Sequence, residues 1–166
     1  MTNNDLARSY LFKAGKRLKV LDLLVQERDF SDVIREAQEV VELAQKALLR
    51  QVGIDPPKWH EVSDILLAHE EFFPEAVRGV FEALAPVAKW LRKERELSFY
   101  GDTDFIPTEE YTKEDALRAM EGAKKWIESA ERVVRPRTPG GAIQSCGSIA
   151  SAWLASRTGD SLSVEG

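Results

Sequence analysis

Residues 31–49 read Ser-Asp-Val-Ile-Arg-Glu-Ala-Gln-Glu-Val-Val-Glu-Leu-Ala-Gln-Lys-Ala-Leu-Leu. Val33, Ala37, Val40, Ala44 and Ala47 recur at steps of three and four and so line one face of a helix. Ile34, Val41 and Leu48 form a second stripe beside the first. A helix apolar over so wide an arc is gripped on two sides. One grip is the body of a helical bundle; the other is a further helix or a second subunit. Ser31 reads as its N-cap, and Gly53 as the residue that ends it at positive φ.

Helical periodicity continues in both directions. Upstream, Leu6, Tyr10, Ala14, Leu18, Leu21 and Val25 mark a first helix from about residue 5 to residue 28. Leu11, Val20 and Leu24 broaden its stripe, while Lys13, Lys16, Arg17 and Lys19 give it a basic side. Downstream, Asp55-Pro56-Pro57 forces a break, because proline has no amide to donate and its ring clashes with a preceding carbonyl. A short third helix is expected over 58–70, with Val62, Ile65 and Leu66 facing in. A fourth starts at Pro74 and carries Val77, Phe81, Leu84, Ala88 and Leu91, with a kink expected at Pro86 and a stop at Gly101. Residues 100–111 read as loop. Thr112 and Asp115 form a capping box for a fifth helix over 113–135, striped by Leu117, Met120, Ala123, Ile127, Ala130 and Val134.

The fold expected is therefore all-α, an up-and-down bundle of four to five helices within residues 1–136. Residues 137–166 change composition to Gly, Ser, Ala and Thr and read as a disordered or vector-derived tail, left out of functional reasoning.

Bulk chemistry narrows the function. The 166 residues are 43% hydrophobic and 31% charged, as in one ordinary globular domain. A formal net charge of −5 argues against a broad DNA-binding footprint and leaves room only for a local basic patch. No apolar run has the roughly 18 residues a bilayer-spanning helix needs, and the first residues are polar, so a cytoplasmic protein without a membrane segment is expected. The single cysteine, Cys146, excludes an internal disulfide. Neither histidine stands three residues after a glutamate, so the Glu-x-x-His pairs of a di-iron bundle are missing, and one cysteine with two scattered histidines makes no zinc set. Phosphate-loop and dinucleotide glycine motifs are absent, and no nucleophile has a visible base. No metal, cofactor or catalytic residue is assigned.

One constellation survives. Helical steps from Leu84 through Ala88 and Leu91 land on Arg95 and then Ser98, with Tyr100 and Asp102 just beyond. The apolar face thus turns polar in its last turns. A guanidinium there needs a partner: a carboxylate of the chain, a second subunit or a phosphate, whose oxygens its fork matches. The plain alternative is that Arg95 reaches outward or pairs with a nearby glutamate. His60, after the proline pair, is placed to bond Asp64 or the end of the second helix, a structural role before a catalytic one. Trp59, Trp90 and Trp126 read as core or interface aromatics.

Taken in order, Ala44-Gln45-Lys46-Ala47-Leu48-Leu49, Gly53, Pro57, His60 and Ile65-Leu66-Leu67 resemble the middle of a HEPN domain. Ser98-Phe99-Tyr100-Gly101-Asp102, then Pro107, Tyr111-Thr112 and Glu114-Asp115-Ala116, resemble its last third, and Arg8 with the Ala14 stripe its first helix. The resemblance spans about residues 5–135. It implies a bundle that forms a homodimer and pairs with a separate small nucleotidyltransferase in a two-gene toxin–antitoxin module. Many members cut RNA without metal through an Arg-x4-6-His motif; Arg95 falls at that place, and Tyr100 and Gly101 stand where the histidine would be. Nuclease activity is not carried over on that pattern. Tyr100 is, on position, the counterpart of a tyrosine to which a partner enzyme adds nucleotides in some modules. The reading is a module that binds a nucleotide or a partner nucleotidyltransferase through Arg95, Ser98, Tyr100, Asp102, Tyr111 and His60. An RNA-cleaving toxin with a degenerate site and a structural dimerisation domain are the alternatives.

Overall fold

The computed structural model describes residues 2–58 and 62–134. His60, Trp59 and the segment 137–166 lie outside the described residues. Four long helices carry the fold: α1 (Asn3–Gln26), α2 (Phe30–Gln51), α4 (Glu75–Glu94) and α7 (Lys113–Val133). Three short ones, α3 (Val62–Ala68), α5 (Leu97–Tyr100) and α6 (Pro107–Glu110), and a 3-10 turn at Glu70–Phe72 complete the described elements, none of which is a strand.

Cross-helix pairs fix the directions. Arg50 at the end of α2 bonds Asn3 at the start of α1, and Arg17 of α1 meets Glu36 of α2 at 2.5 Å, so α1 and α2 are antiparallel. Arg92 and Arg95 of α4 meet Glu42 and Glu39 of α2 in reverse order, so α4 also opposes α2. Val134 packs with Ala7 and Ala47, which sets α7 antiparallel to α1 and alongside α2 in the same sense. The long helices therefore alternate up and down.

The wide apolar arc of α2 is filled within one chain. Val33, Ile34, Ala37, Val40, Val41, Ala44, Leu48 and Leu49 are buried in one core with residues of α1, α4 and α7. The second grip expected on α2 is thus another helix of the same chain. Phe73, Phe81 and Trp126 bring the largest side chains to this core, Phe73 edge-on to Phe81 at 5.0 Å and Phe81 stacked on Trp126 at 5.8 Å. Burying each such ring is worth about 1.5–3 kcal/mol. The indole N–H of Trp126 has no hydrogen-bond partner among the described residues, so among these stacking and shape hold the ring.

Helix ends follow local chemistry with some corrections. The Thr112–Asp115 capping box forms as expected, and a second box, Thr2 with Asp5, opens α1. The N-cap of α2 is Asp29 rather than Ser31. Its carboxylate accepts from the Asp32 amide and the Ser31 hydroxyl, and the carboxylate one position before Phe30 outcompetes a hydroxyl already inside the helix. Gly53, at φ 83°, closes α2 while the Ile54 amide donates to the Leu49 carbonyl. Pro86 lies on the exposed side of α4, and the helix continues through it. The fourth helix, expected to run to Gly101, is interrupted after Glu94 and resumes as α5, which Gly101 ends. Leu117, placed in the buried stripe of the last helix, is exposed; Ala116 and Ala119 take the core positions.

Gly101 ends α5 at φ 67° and ψ −163°, a region nearly confined to glycine, and a Cβ there would lie 2.5 Å from the Phe105 carbonyl oxygen. Gly79 sits mid-helix in α4 with open space around it. Gly101→Ala is expected to destabilise the fold by about 1–3 kcal/mol, and Gly79→Ala to stabilise it by about 0.5–1 kcal/mol. Urea denaturation of the two variants checks the opposite signs.

Candidate functional site

The polar side of α2 faces the end of α4. On α2, Arg35 donates to Glu39 Oε1 at 3.0 Å, Gln38 to Glu42 Oε2 at 2.8 Å, and Lys46 to Glu42 Oε1 at 2.6 Å, each pair one turn apart. From α4, Arg95 reaches Glu39 Oε1 at 3.4 Å and Arg92 lies 3.7 Å from Glu42 Oε2. Four cations, Arg35, Lys46, Arg92 and Arg95, thus gather about two carboxylates, an excess of two positive charges after every pair is counted.

Burial pushes the Glu42 carboxyl upward, yet the hydrogen bonds from Lys46 and Gln38 and the charges of Lys46 and Arg92 outweigh it and hold the group below the usual glutamate range. Glu42 is therefore ionised at neutral pH. Glu39 is more loosely held, since Arg35 and Arg95 converge on one of its oxygens and the Arg95 contact is long. Arg95 keeps a buried Nε–H with no partner among the described residues, so its fork has donor capacity left over. The side chain is half-buried between its apolar stem and this polar seam.

Beside the seam, Gln38, Val41, Glu42, Gln45, Val62, Ala88 and Arg92 line a small cleft that accommodates about 20 Å³ of water-sized occupancy. Gln38 is buried and its Oε1 has no partner among the described residues. Gln45 spends its amide on the Ser63 hydroxyl at 2.7 Å, which ties α3 to α2.

The residues expected to form the site do not converge on one point. Ser98 is buried and its hydroxyl donates to the Arg95 carbonyl at 3.2 Å, a bond that bridges the break between α4 and α5. Tyr100 is exposed, edge-on to Phe99 at 4.8 Å. Asp102 accepts from the Thr103 amide at 2.7 Å and pairs its backbone with Phe105, shaping its own turn. Tyr111 is half-buried, edge-on to Phe105 at 5.6 Å, and its hydroxyl donates to Glu94 Oε2 at 2.9 Å. Arg95 alone of the set faces the seam. His60 lies outside the described residues; His69 bonds the Ile65 carbonyl through Nδ1 at 2.9 Å and stacks on Phe72. Among the described residues no group of histidine, cysteine and carboxylate side chains has the arrangement of a metal site, and no helix is long and apolar enough to cross a membrane.

Residues that sequence reasoning passed over, Arg35, Gln38, Glu39, Glu42, Lys46 and Arg92, carry most of the seam. Their signal was present as Arg-x3-Glu, Gln-x3-Glu and Glu-x3-Lys spacings on one helix, and as Arg92 three residues before Arg95.

The Tyr111 hydroxyl is pushed above its ordinary value of 10.0 by burial, then by its bond to Glu94 and that carboxylate's charge. A raised pKa in the folded state means that this contribution to stability is complete below pH 10 and is lost as pH rises through the folded-state value. Tyr111→Phe is expected to flatten that alkaline loss, measured by thermal unfolding at a series of pH values above neutrality.

With this geometry in place, comparison with known proteins is informative at one level. The profile of the HEPN domain matches residues 7–134, so the chain belongs to the HEPN family. No curated protein and no solved structure gives a match.

Proposed function

We propose that this HEPN domain is a binding module whose α2–α4 seam receives the phosphate of a nucleotide, either free in solution or presented by a partner nucleotidyltransferase. The observation that carries the reading is the surplus of cations on two glutamates, with Arg95 weakly paired and one of its donors unspent. Arginine forks match phosphate oxygens two at a time, and a phosphate arriving at Glu39 displaces one long ion pair rather than a well-made one. The net charge of −5 is no obstacle, because the positive excess is local. Membership of the HEPN family is consistent with nucleotide- or RNA-related work. A two-gene toxin–antitoxin module supplies a context in which a partner enzyme delivers such a nucleotide.

Titration with ATP and with a short single-stranded RNA, followed by fluorescence anisotropy or calorimetry, tests the site. Removing a charged hydrogen bond to phosphate costs about 1.5–3 kcal/mol, so Arg95→Ala is expected to weaken binding roughly 10- to 100-fold. Glu39→Gln frees two guanidinium groups from a competing carboxylate and is expected to tighten binding, an effect that fades with added salt. Binding indifferent to both changes overturns the seam as the site.

A further inference from the structure

α1 is buried on one side. Ala7, Ala14, Leu18 and Leu21 pack that side against α2 and α7. On the opposite side Phe12, Lys16, Lys19 and Leu23 follow at steps of four, three and four, so they share one line along the helix. Lys13 and Val20 stand beside the line. All six side chains are exposed, Phe12 and Leu23 each by 55%. At 1.5 Å per residue the line is about 16 Å long. Among the described residues the ion pairs of α1 are Arg8 with Asp5 and Arg17 with Glu36, and none of the three lysines takes part in one. Lys16 instead lies over the Phe12 ring at 5.1 Å. Asp22, the only carboxylate between residues 9 and 23, is half-buried and off the line.

Three uncompensated positive charges require an anionic complement, and the apolar side chains among them decide which. A nucleic acid stacks its bases on aromatic rings, but Phe12 is the single aromatic of this face and Lys16 covers it. Val20 and Leu23 offer nothing to a base or a phosphate. A protein partner favours arginine, whose fork meets carboxylates in fixed geometry, and lysine is depleted from such interfaces. Every cation of this face is a lysine. A layer of anionic headgroups over an apolar interior suits the face on both counts. The lysine stems bend outward to the lipid phosphates while Phe12, Val20 and Leu23 enter the boundary between headgroups and acyl chains. The contact is with the surface alone, since no helix among the described residues is long and apolar enough to cross a bilayer. The net charge of −5 does not oppose it. Charges farther away than about 10 Å are screened, and the exposed carboxylates of residues 102–110 belong to a segment that packs on α2 through α5 and α6.

We propose that the outer face of α1 seats the bundle on an anionic lipid bilayer, with the helix axis along the membrane plane. The contact is separate from the α2–α4 seam and does not depend on the seam binding anything.

Flotation of the full chain with lipid vesicles tests it. Binding is expected to vesicles of phosphatidylcholine and phosphatidylglycerol at about two to one, to fade with added salt, and to be absent with phosphatidylcholine alone. A lysine near such a surface contributes about fivefold, so Lys16→Gln with Lys19→Gln is expected to weaken binding about 25-fold. Phe12→Ser with Leu23→Ser keeps every charge and is expected to weaken it about tenfold or more. All four positions are exposed, and circular dichroism is expected to show unchanged helix content. Phe12→Trp is expected to add an emission that shifts to the blue on the anionic vesicles, beyond any change in the wild type. No binding to anionic vesicles, equal binding to both kinds, or no effect of the Phe12 and Leu23 changes overturns the proposal. Vesicles left unbound while the lysine pair governs binding of a single-stranded RNA or of polyglutamate overturn it in favour of a nucleic acid or an acidic protein.

Discussion

The burial of α2 on nearly every side is the constraint from which the other features follow. Its two apolar stripes leave a narrow polar strip, Arg35, Gln38, Glu39, Glu42 and Lys46, that has nowhere to go but the groove beside α4. Because α4 runs antiparallel to α2, the end of α4 delivers Arg92 and Arg95 to that strip in register. The charged seam is the unavoidable edge of a core that is otherwise apolar. Desolvating its carboxylates is costly, which is why each of Glu39 and Glu42 has more than one donor.

The ending of α4 adds the second constraint. The hydrogen-bonded ladder of α4 is interrupted at Arg95 and Glu96, but both keep right-handed helical dihedrals, so the chain runs on into α5 and leaves the helical path only at Gly101. Around Gly101 the chain forms the α5–α6 corner, where Phe99 lies against Arg35 while the corner's carboxylates are exposed.

Much of this was legible before any coordinates. Signals confined to one turn or one helix read correctly: the Thr112–Asp115 box, Gly53 as a stop, the stripes of α2 and α4, the order of the helices. The start of α2 was read two residues late, since Asp29 rather than Ser31 caps it. Leu117 was misplaced because alanines at 116 and 119 carry little hydrophobic weight, yet fit the tight contact of α7 with its neighbours. The seam was half legible. Arg95 was marked by a stripe turning polar, but its partner Glu39 lies 56 residues away, and only the antiparallel register of α2 and α4 brings them together. Tyr111 was chosen for its place in a pattern, whereas its hydroxyl bonds Glu94.

A charged strip pinned between two helices can serve as a ligand site only if its pairs exchange. Arg95 is the place to look, since it combines the longest bond to Glu39 with an unused Nε–H. Nuclear magnetic resonance of the arginine Nε–Hε groups during a nucleotide titration observes that group directly. The α2–α4 seam predicts that the Arg95 resonance shifts and saturates with the nucleotide, with Arg35 and Arg92 following. Shifts confined to the α1 lysine face, or no shift at Arg95 while nucleotide binds elsewhere, would contradict it.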